Sequence, residues 1–191
     1  MGERGVRRSI LLLVSSMSAG GRSVRLGPRI VRILRGGGWE VAVRLTTPGD
    51  DPAALAAQVA SDSIVAALGG DGYLGAVARG CHDSGALFVP FPGGRGNDLC
   101  RALGIGTDPL ARARDVASLG FVSGTAGDEA VAGRARRATD AFASRVRPLD
   151  GMWVRSRDGV RLALGVVSVG LDARANILAN ESSLTSGPLA Y

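Results

Sequence analysis

Lysine is missing altogether: every one of the 23 basic residues in this 191-residue chain is arginine. Mechanisms that need a lysine amine are therefore excluded, among them the Walker A phosphate loop, the strand lysine of protein kinases and Schiff-base chemistry. A phosphate bound here has to be held by arginine, by backbone N–H groups or by a metal. Cysteine and histidine are nearly absent too. Two cysteines, Cys81 and Cys100, in a chain of this size do not form a disulfide framework and fit a reducing cytoplasm; with one histidine, His82, they do not make a zinc site. Both thiols are expected to be buried and His82 to be a solvated helix end. Aromatics supply only 4% of the chain, so the arginines have no stacking partners and nucleic-acid binding is disfavoured. Trp39 and Trp153 read as packing residues. Long apolar runs are also lacking. Ile10-Leu-Leu-Leu-Val14 follows a basic N-terminus but is too short for a membrane span and has no cleavage pattern after it, so it reads as a buried strand of a soluble protein.

Acids are outnumbered, 17 against 23 bases, and the net charge of +6 points to anionic partners: nucleic acid, a phosphorylated small molecule or an anionic membrane face. What is plentiful is apolar residues, 46%, and glycine, 29 residues, a balance that favours an α/β domain joined by glycine loops.

Strand and helix patterns alternate along the chain. Ser9 to Val14 reads as a strand, and Val24 to Arg35 as a helix with Leu26, Ile30, Ile33 and Leu34 on one side and Arg22, Arg25, Arg29, Arg32 and Arg35 on the other. Pro28 is expected to kink or start that helix. Trp39 to Leu45 is the next strand; Asp51-Pro52 reads as N-cap and first residue of a helix to about Ala60. Strand Ser63 to Leu68, helix Tyr73 to Cys81, strand Ala86 to Pro90 and a short helix Asn97 to Leu103 follow, and Asp108-Pro109 caps a helix to about Leu119. Another basic helix is expected to end near Arg147, with Arg134, Arg136, Arg137, Arg145 and Arg147 on a solvated face. The pattern predicts a parallel sheet with helices on both faces. From Val146 the period changes to alternation, with a turn at Arg157-Asp-Gly159 and a strand from Val160 to Val169, so an antiparallel hairpin opens a second unit near Pro148.

Two glycine loops close two of these strands. Gly70-Asp-Gly-Tyr-Leu-Gly75 spells the dinucleotide fingerprint, yet the next strand ends in Phe91 and Pro92 where the ribose-binding acid belongs. As a phosphate cradle it fares better: glycines let the backbone approach, the N–H groups opening a helix attract negative charge, and Asp71 is sensible if Mg²⁺ bridges it to phosphate. Gly93-Gly-Arg-Gly-Asn-Asp98 repeats the arrangement after the neighbouring strand, and Ser18 to Ser23 forms a third small-residue loop. A plain tight turn with an ordinary N-cap is the competing reading of each loop taken singly.

Gly69-Gly-Asp-Gly-Tyr73, Pro92-Gly-Gly-Arg-Gly-Asn-Asp-Leu-Cys-Arg101, Asp150 after Arg147-Pro-Leu149, and Gly170-Leu-Asp-Ala173 occur in the order of the motifs of one family, and together they resemble the diacylglycerol kinase catalytic domain of bacterial lipid kinases and sphingosine kinases. Ser15-Ser-Met-Ser-Ala-Gly-Gly-Arg22 echoes that family's first loop, N-P-x-S-G-x-G-R, with both leading residues changed. The resemblance implies a three-layer parallel-sheet nucleotide-binding domain of the NAD kinase and phosphofructokinase type over residues 1–147, followed by an incomplete antiparallel β-rich lipid-binding domain over 148–191. It implies transfer of the γ-phosphate of ATP, with Mg²⁺, to a lipid hydroxyl such as that of diacylglycerol. Gly69, Gly70, Asp71 and Gly72 would cradle the phosphates, Tyr73, Arg95, Gly96 and Asn97 would line the nucleotide site, and Thr46 would stand at its entrance. Asp71, Asp98 and Asp150 match acids that organise the metal. Tyr73 and Arg95 replace threonines, and Ala76 replaces a glutamate common in the family. The family continues past the part matching Gly187 to Tyr191, to an Asp-Gly-Glu whose carboxylate is its proposed general base, so the resemblance implies a truncated chain whose own catalytic base is unknown.

The partners implied are ATP, a lipid substrate and an anionic membrane surface, with a homodimer as a further option and no nucleic acid; the location implied is cytoplasmic, peripheral to the inner membrane face. The alternatives are an NAD-kinase-like phosphotransferase, against which the Gly-Asn-Asp-Leu-Cys-Arg segment argues, and a non-catalytic nucleotide- or lipid-binding protein.

Overall fold

The computed structural model describes residues 8–120 and 144–178, apart from 158, 165, 166, 168, 169, 172, 175 and 176. The elements run β1 (Ser9–Ser15), α1 (Arg22–Gly36), β2 (Glu40–Thr46), α2 (Pro52–Ala57), β3 (Ile64–Gly69), α3 (Asp71–Ser84), β4 (Leu87–Pro92), α4 (Asp98–Ala102), α5 (Pro109–Ala117), β5 (Met152–Ser156) and β6 (Gly159–Ala163). Strands β1 to β4 form one parallel sheet in the order β2-β1-β3-β4. The chain moves outward one way from β1 to β2 and the other way from β3 to β4. The switch point therefore lies between β1 and β3, where open α/β sheets leave a crevice beyond the strand ends.

Both faces of the sheet are covered, as the near-continuous apolar strands demand. On one face Ile10, Leu12, Val14, Ala66 and Leu68 meet Ile30 and Leu34 of α1 and Ala113 and Val116 of α5. On the other, Leu13, Val65 and Ala67 meet Ala56 of α2, Leu74, Val77 and Cys81 of α3, and Leu99 and Cys100 of α4. Trp39 is buried and its indole N–H donates to the Val116 carbonyl at 2.9 Å, tying the start of β2 to α5. The five arginines of the α1 stripe are all exposed, as the helical spacing predicts.

Aspartates open two helices. The Asp51 carboxylate accepts from the Ala53 and Ala54 N–H groups, and that of Asp108 from the Leu110 N–H, each before a proline that has no N–H to satisfy. Some boundaries depart from the sequence reading. Pro28 lies inside α1, which starts at Arg22, so it does not begin the helix; its ring sits on the exposed side. Helix α2 stops at Ala57 rather than near Ala60. The expected basic helix falls mostly on residues 121–143, and Arg134, Arg136 and Arg137 lie outside the described residues. Arg145 and Arg147 are exposed on irregular backbone, so residues 144–147 are not helical. The hairpin forms as expected but shorter, with β5 and β6 antiparallel from Met152↔Ala163 to Ser156↔Gly159.

This hairpin leans on α3. Leu164 packs against the core beneath α2 and α3, and the Trp153 ring meets His82 edge-on, 5.4 Å between centroids. His82 is thus exposed but not simply solvated, which its position near a helix end could not reveal. No described helix is long and apolar enough to cross a membrane.

Candidate active site

The strand register stacks the carboxyl ends of the sheet side by side: Ser15 lies opposite Thr46, Val14 opposite Leu68, and Gly69 opposite Pro92. The loops after β1, β3 and β4 are consequently neighbours, and they are bonded together. The Gly70 N–H donates to Ser18 Oγ at 3.0 Å, and the Gly93 N–H to the Gly69 carbonyl at 2.8 Å. Ser23 Oγ lies 3.5 Å from the Gly93 carbonyl. Glycine is required by this closeness. A Cβ on Gly94 would fall 2.5 Å from the Gly70 Cα, and one on Gly93 would fall 2.4 Å from Ser23 Oγ and 2.9 Å from the Gly69 nitrogen.

Over these loops opens a cavity of about 1250 Å³. Its base is the loop Met17 to Gly20, the start of α3 from Gly70 to Tyr73, and Gly94 to Gly96; its far wall is the hairpin, with Val154, Leu162 and Leu164 among the lining residues. Gly70 supplies no side-chain cap to α3, and the first turn of a helix leaves N–H groups with no partner inside it, so the opening of α3 offers donors to an anion in the cavity. Arg79, Arg95 and Arg161 also line it.

Asp71 has two tasks. Its Oδ1 accepts from the Leu99 N–H at 3.0 Å, which caps α4 from another segment of the chain. The residue at the head of α4, Asn97, cannot do so, because it sits in left-handed backbone (φ 58°) and turns its amide back on Gly94: Oδ1 accepts from the Gly94 N–H at 2.8 Å and Nδ2 donates to the Gly94 carbonyl at 3.1 Å. The other oxygen of Asp71 and one of Asp98 approach the same spot. A Cβ on Gly96 would lie 3.3 Å from Asp71 Oδ2 and 3.1 Å from Asp98 Oδ2. The second Asp98 oxygen accepts from Arg101 at 2.9 Å.

Tyr73 folds back over the end of β3. A Cβ on Gly69 would fall 2.5 Å from its ring, and its hydroxyl lies 3.1 Å from that of Thr46. The buried Thr46 hydroxyl is also 3.2 Å from the Val14 carbonyl, which can only accept; the single Thr46 proton goes there, and Tyr73 is left to donate to Thr46. Burial raises the Tyr73 pKa, with the nearby charge of Asp50 adding to the effect.

Of the residues singled out from the sequence, Gly70, Asp71, Gly72, Tyr73, Arg95, Gly96 and Asp98 line the cavity. Gly69, Thr46 and Asn97 stand behind it, as the surface under Tyr73, the anchor of its hydroxyl and the clamp of the Gly94 loop. Asp150 is exposed and is not among the lining residues, and no group of three or more His, Cys, Asp or Glu placed to hold a metal occurs among the described residues. Asp172, within the Gly170 to Ala173 motif, lies outside the described residues, as does the segment Gly187 to Tyr191. Met17, Asp51 and Arg161 also line the cavity and were not picked out; nothing local distinguishes them, since they arrive there through topology alone. Ala19 was passed over as well. It takes left-handed backbone (φ 45°), a conformation that glycine adopts freely and alanine seldom does.

Residues 9–126, well over half of the chain, match the model of the diacylglycerol kinase catalytic domain. The chain belongs to this family. The match covers the parallel sheet and the three loops, and the hairpin wall lies beyond it. No curated protein matches the chain. Membership in the diacylglycerol kinase family carries with it a phosphotransferase of the kinase type.

Proposed function

We propose that the protein transfers the γ-phosphoryl group of ATP to the hydroxyl of a lipid such as diacylglycerol, with Mg²⁺, at an anionic membrane surface. The observation that carries this reading is the two-sided cavity: the backbone donors of Gly70 to Gly72 and Gly94 to Gly96 with Arg95 on one side, and on the other a hairpin wall where Val154, Leu162, Ala163 and Leu164 outnumber Ser156 and Arg161. An amphiphile fits such a space with its hydroxyl toward the loops and its chains along the hairpin. Family membership supports the chemistry but does not choose the lipid.

Asp71 and Asp98 fit a magnesium ion. They are hard oxygen donors that converge beside Gly96, and this metal is commonly bound through one or two carboxylates, with water and phosphate oxygens completing its shell. When bound there it would neutralise charge on the transferring phosphate. The chain's own residues do the positioning. The α3 N-terminus and the Gly94 to Gly96 loop orient the phosphates, and Arg95 offers a fixed positive charge where the family uses threonine. Phosphoryl transfer needs mostly such placement and charge compensation.

The test is incubation with γ-labelled ATP, Mg²⁺ and mixed micelles containing dioleoylglycerol. Label in phosphatidic acid is the expected result. Label in NADP when NAD is offered instead would favour the NAD-kinase-like alternative, and Mg²⁺-dependent ATP binding with no transfer to any lipid offered would make the chain a binding protein.

A further inference from the structure

Tyr73 stands at a position where the family carries a small hydroxyl residue, and its ring is held at both ends. Beneath it lies the bare backbone of Gly69; at its tip is the Thr46 hydroxyl, itself fixed on the Val14 carbonyl. The ring therefore spans the carboxyl ends of β3, β1 and β2, on the side of the α3 N-terminus away from the Gly93 to Gly96 loop. Tyr73 also lines the cavity, which continues on this side past Met17 to Gly20 and Asp51 to Ala53. The opposite end of the cavity is the hairpin, where Val154, Leu162 and Leu164 stand beside Arg161. A nucleotide with its phosphates at the Gly70 to Gly72 turn, and its acceptor toward the hairpin, has room for its nucleoside on this side, over Tyr73.

We infer that Tyr73 is a specificity-determining residue that stacks on the nucleobase of the phosphoryl donor, with Thr46 as the positioning residue that holds the ring. The inference rests on the nucleotide-binding part of the proposed function. A ring pinned at two points has lost its rotamer freedom before the ligand arrives, so stacking adds contact without the usual ordering cost. A π-face accepts any planar base, so the selectivity conferred is for nucleotide over bare polyphosphate rather than for adenine over guanine.

Calorimetric titration of the full chain with Mg-ATP and, separately, with Mg-tripolyphosphate tests this. The wild type is expected to bind ATP more tightly than tripolyphosphate. Tyr73→Leu, which fills the space over Gly69 without a π-face, should lose roughly ten-fold or more in ATP affinity, the range of one stacking contact, and keep its tripolyphosphate affinity within about two-fold. Tyr73→Phe should retain most of the preference for ATP. Thr46→Val should weaken ATP alone, and less than Tyr73→Leu does, because the ring remains but is released. Equal loss for both ligands in Tyr73→Leu, or ATP affinity unchanged in it, would overturn the stacking role while leaving the phosphotransferase reading intact. A folded wild type that binds neither ligand would overturn both.

Discussion

Asp71 is asked to be a cap and a charge at once, and two substitutions separate these tasks. Asp71→Asn keeps an oxygen for the Leu99 N–H, whereas Asp71→Ala removes it. Loss of a cap costs about 1 kcal/mol, and in a chain of this length that lowers Tm by roughly 2–4 °C. Thermal melts should show this drop in the alanine variant and little change in the asparagine variant. Both should lose the Mg²⁺ enhancement of ATP binding; an asparagine variant that kept it would reduce Asp71 to a cap. Which residues were legible in the sequence follows from the same distinction. Gly70, Asp71 and Gly94 to Gly96 could be read because a turn before a helix constrains residues within a few positions of each other. The capping of the Leu99 N–H by Asp71 and the service of Thr46 to Tyr73 could not, since each joins segments that only the fold brings together.

Helices α2 and α3 cross at Gly80 with almost no clearance. A Cβ there would lie 2.1 Å from the Ala53 carbonyl oxygen and 2.7 Å from the Ala56 Cβ. Alanine is the better helix former by about 1 kcal/mol, but the collision is with backbone and cannot be relieved by a side-chain rotation. Gly80→Ala should therefore destabilise the protein by roughly 1–3 kcal/mol in urea melts, while Gly75→Ala in the same helix, with nothing within 4 Å of the added carbon, should not. Most elements were readable because apolar runs of strand length alternate with amphipathic stretches, and because Asp51-Pro52 and Asp108-Pro109 mark helix starts without help from tertiary structure. Their ends were less so. Helix α2 stops at Ala57 although its alanines could continue, and α1 carries Pro28 without starting at it. The shape of the neighbouring layer, which local propensity does not encode, decides such limits.

Alkali acts on the whole fold through its buried thiols. Burial pushes the Cys81 pKa up to about 12 and that of Cys100 up to about 11, the latter with the Asp71 charge adding to it, against an ordinary value of 9.0. Well below pH 9 both thiols are protonated in the folded and the unfolded chain alike and the stability is unaffected. Between there and pH 11–12 the unfolded chain releases protons that the folded one retains, so stability falls as pH rises. Denaturation midpoints followed from pH 8 to 11 should decline, and a Cys81→Ala/Cys100→Ala variant, whatever its stability at neutral pH, should show a shallower decline. The parallel sheet, the convergence of the loops and the hairpin were all legible at this level, because alternation of elements fixes topology. How the hairpin lies against α3 was not, since Trp153 and His82 carry no mark of each other in the sequence. That placement sets the way the crevice can open. The jaw made by the three loops is laced by the Gly70 N–H on the Ser18 hydroxyl and the Gly93 N–H on the Gly69 carbonyl, while the hairpin meets the rest of the described residues through Trp153 against His82 and Leu164 against the core. Ring and apolar contacts of this kind part more readily than hydrogen-bonded backbone, so a bulky guest is expected to enter by lifting the hairpin while the loops keep their geometry.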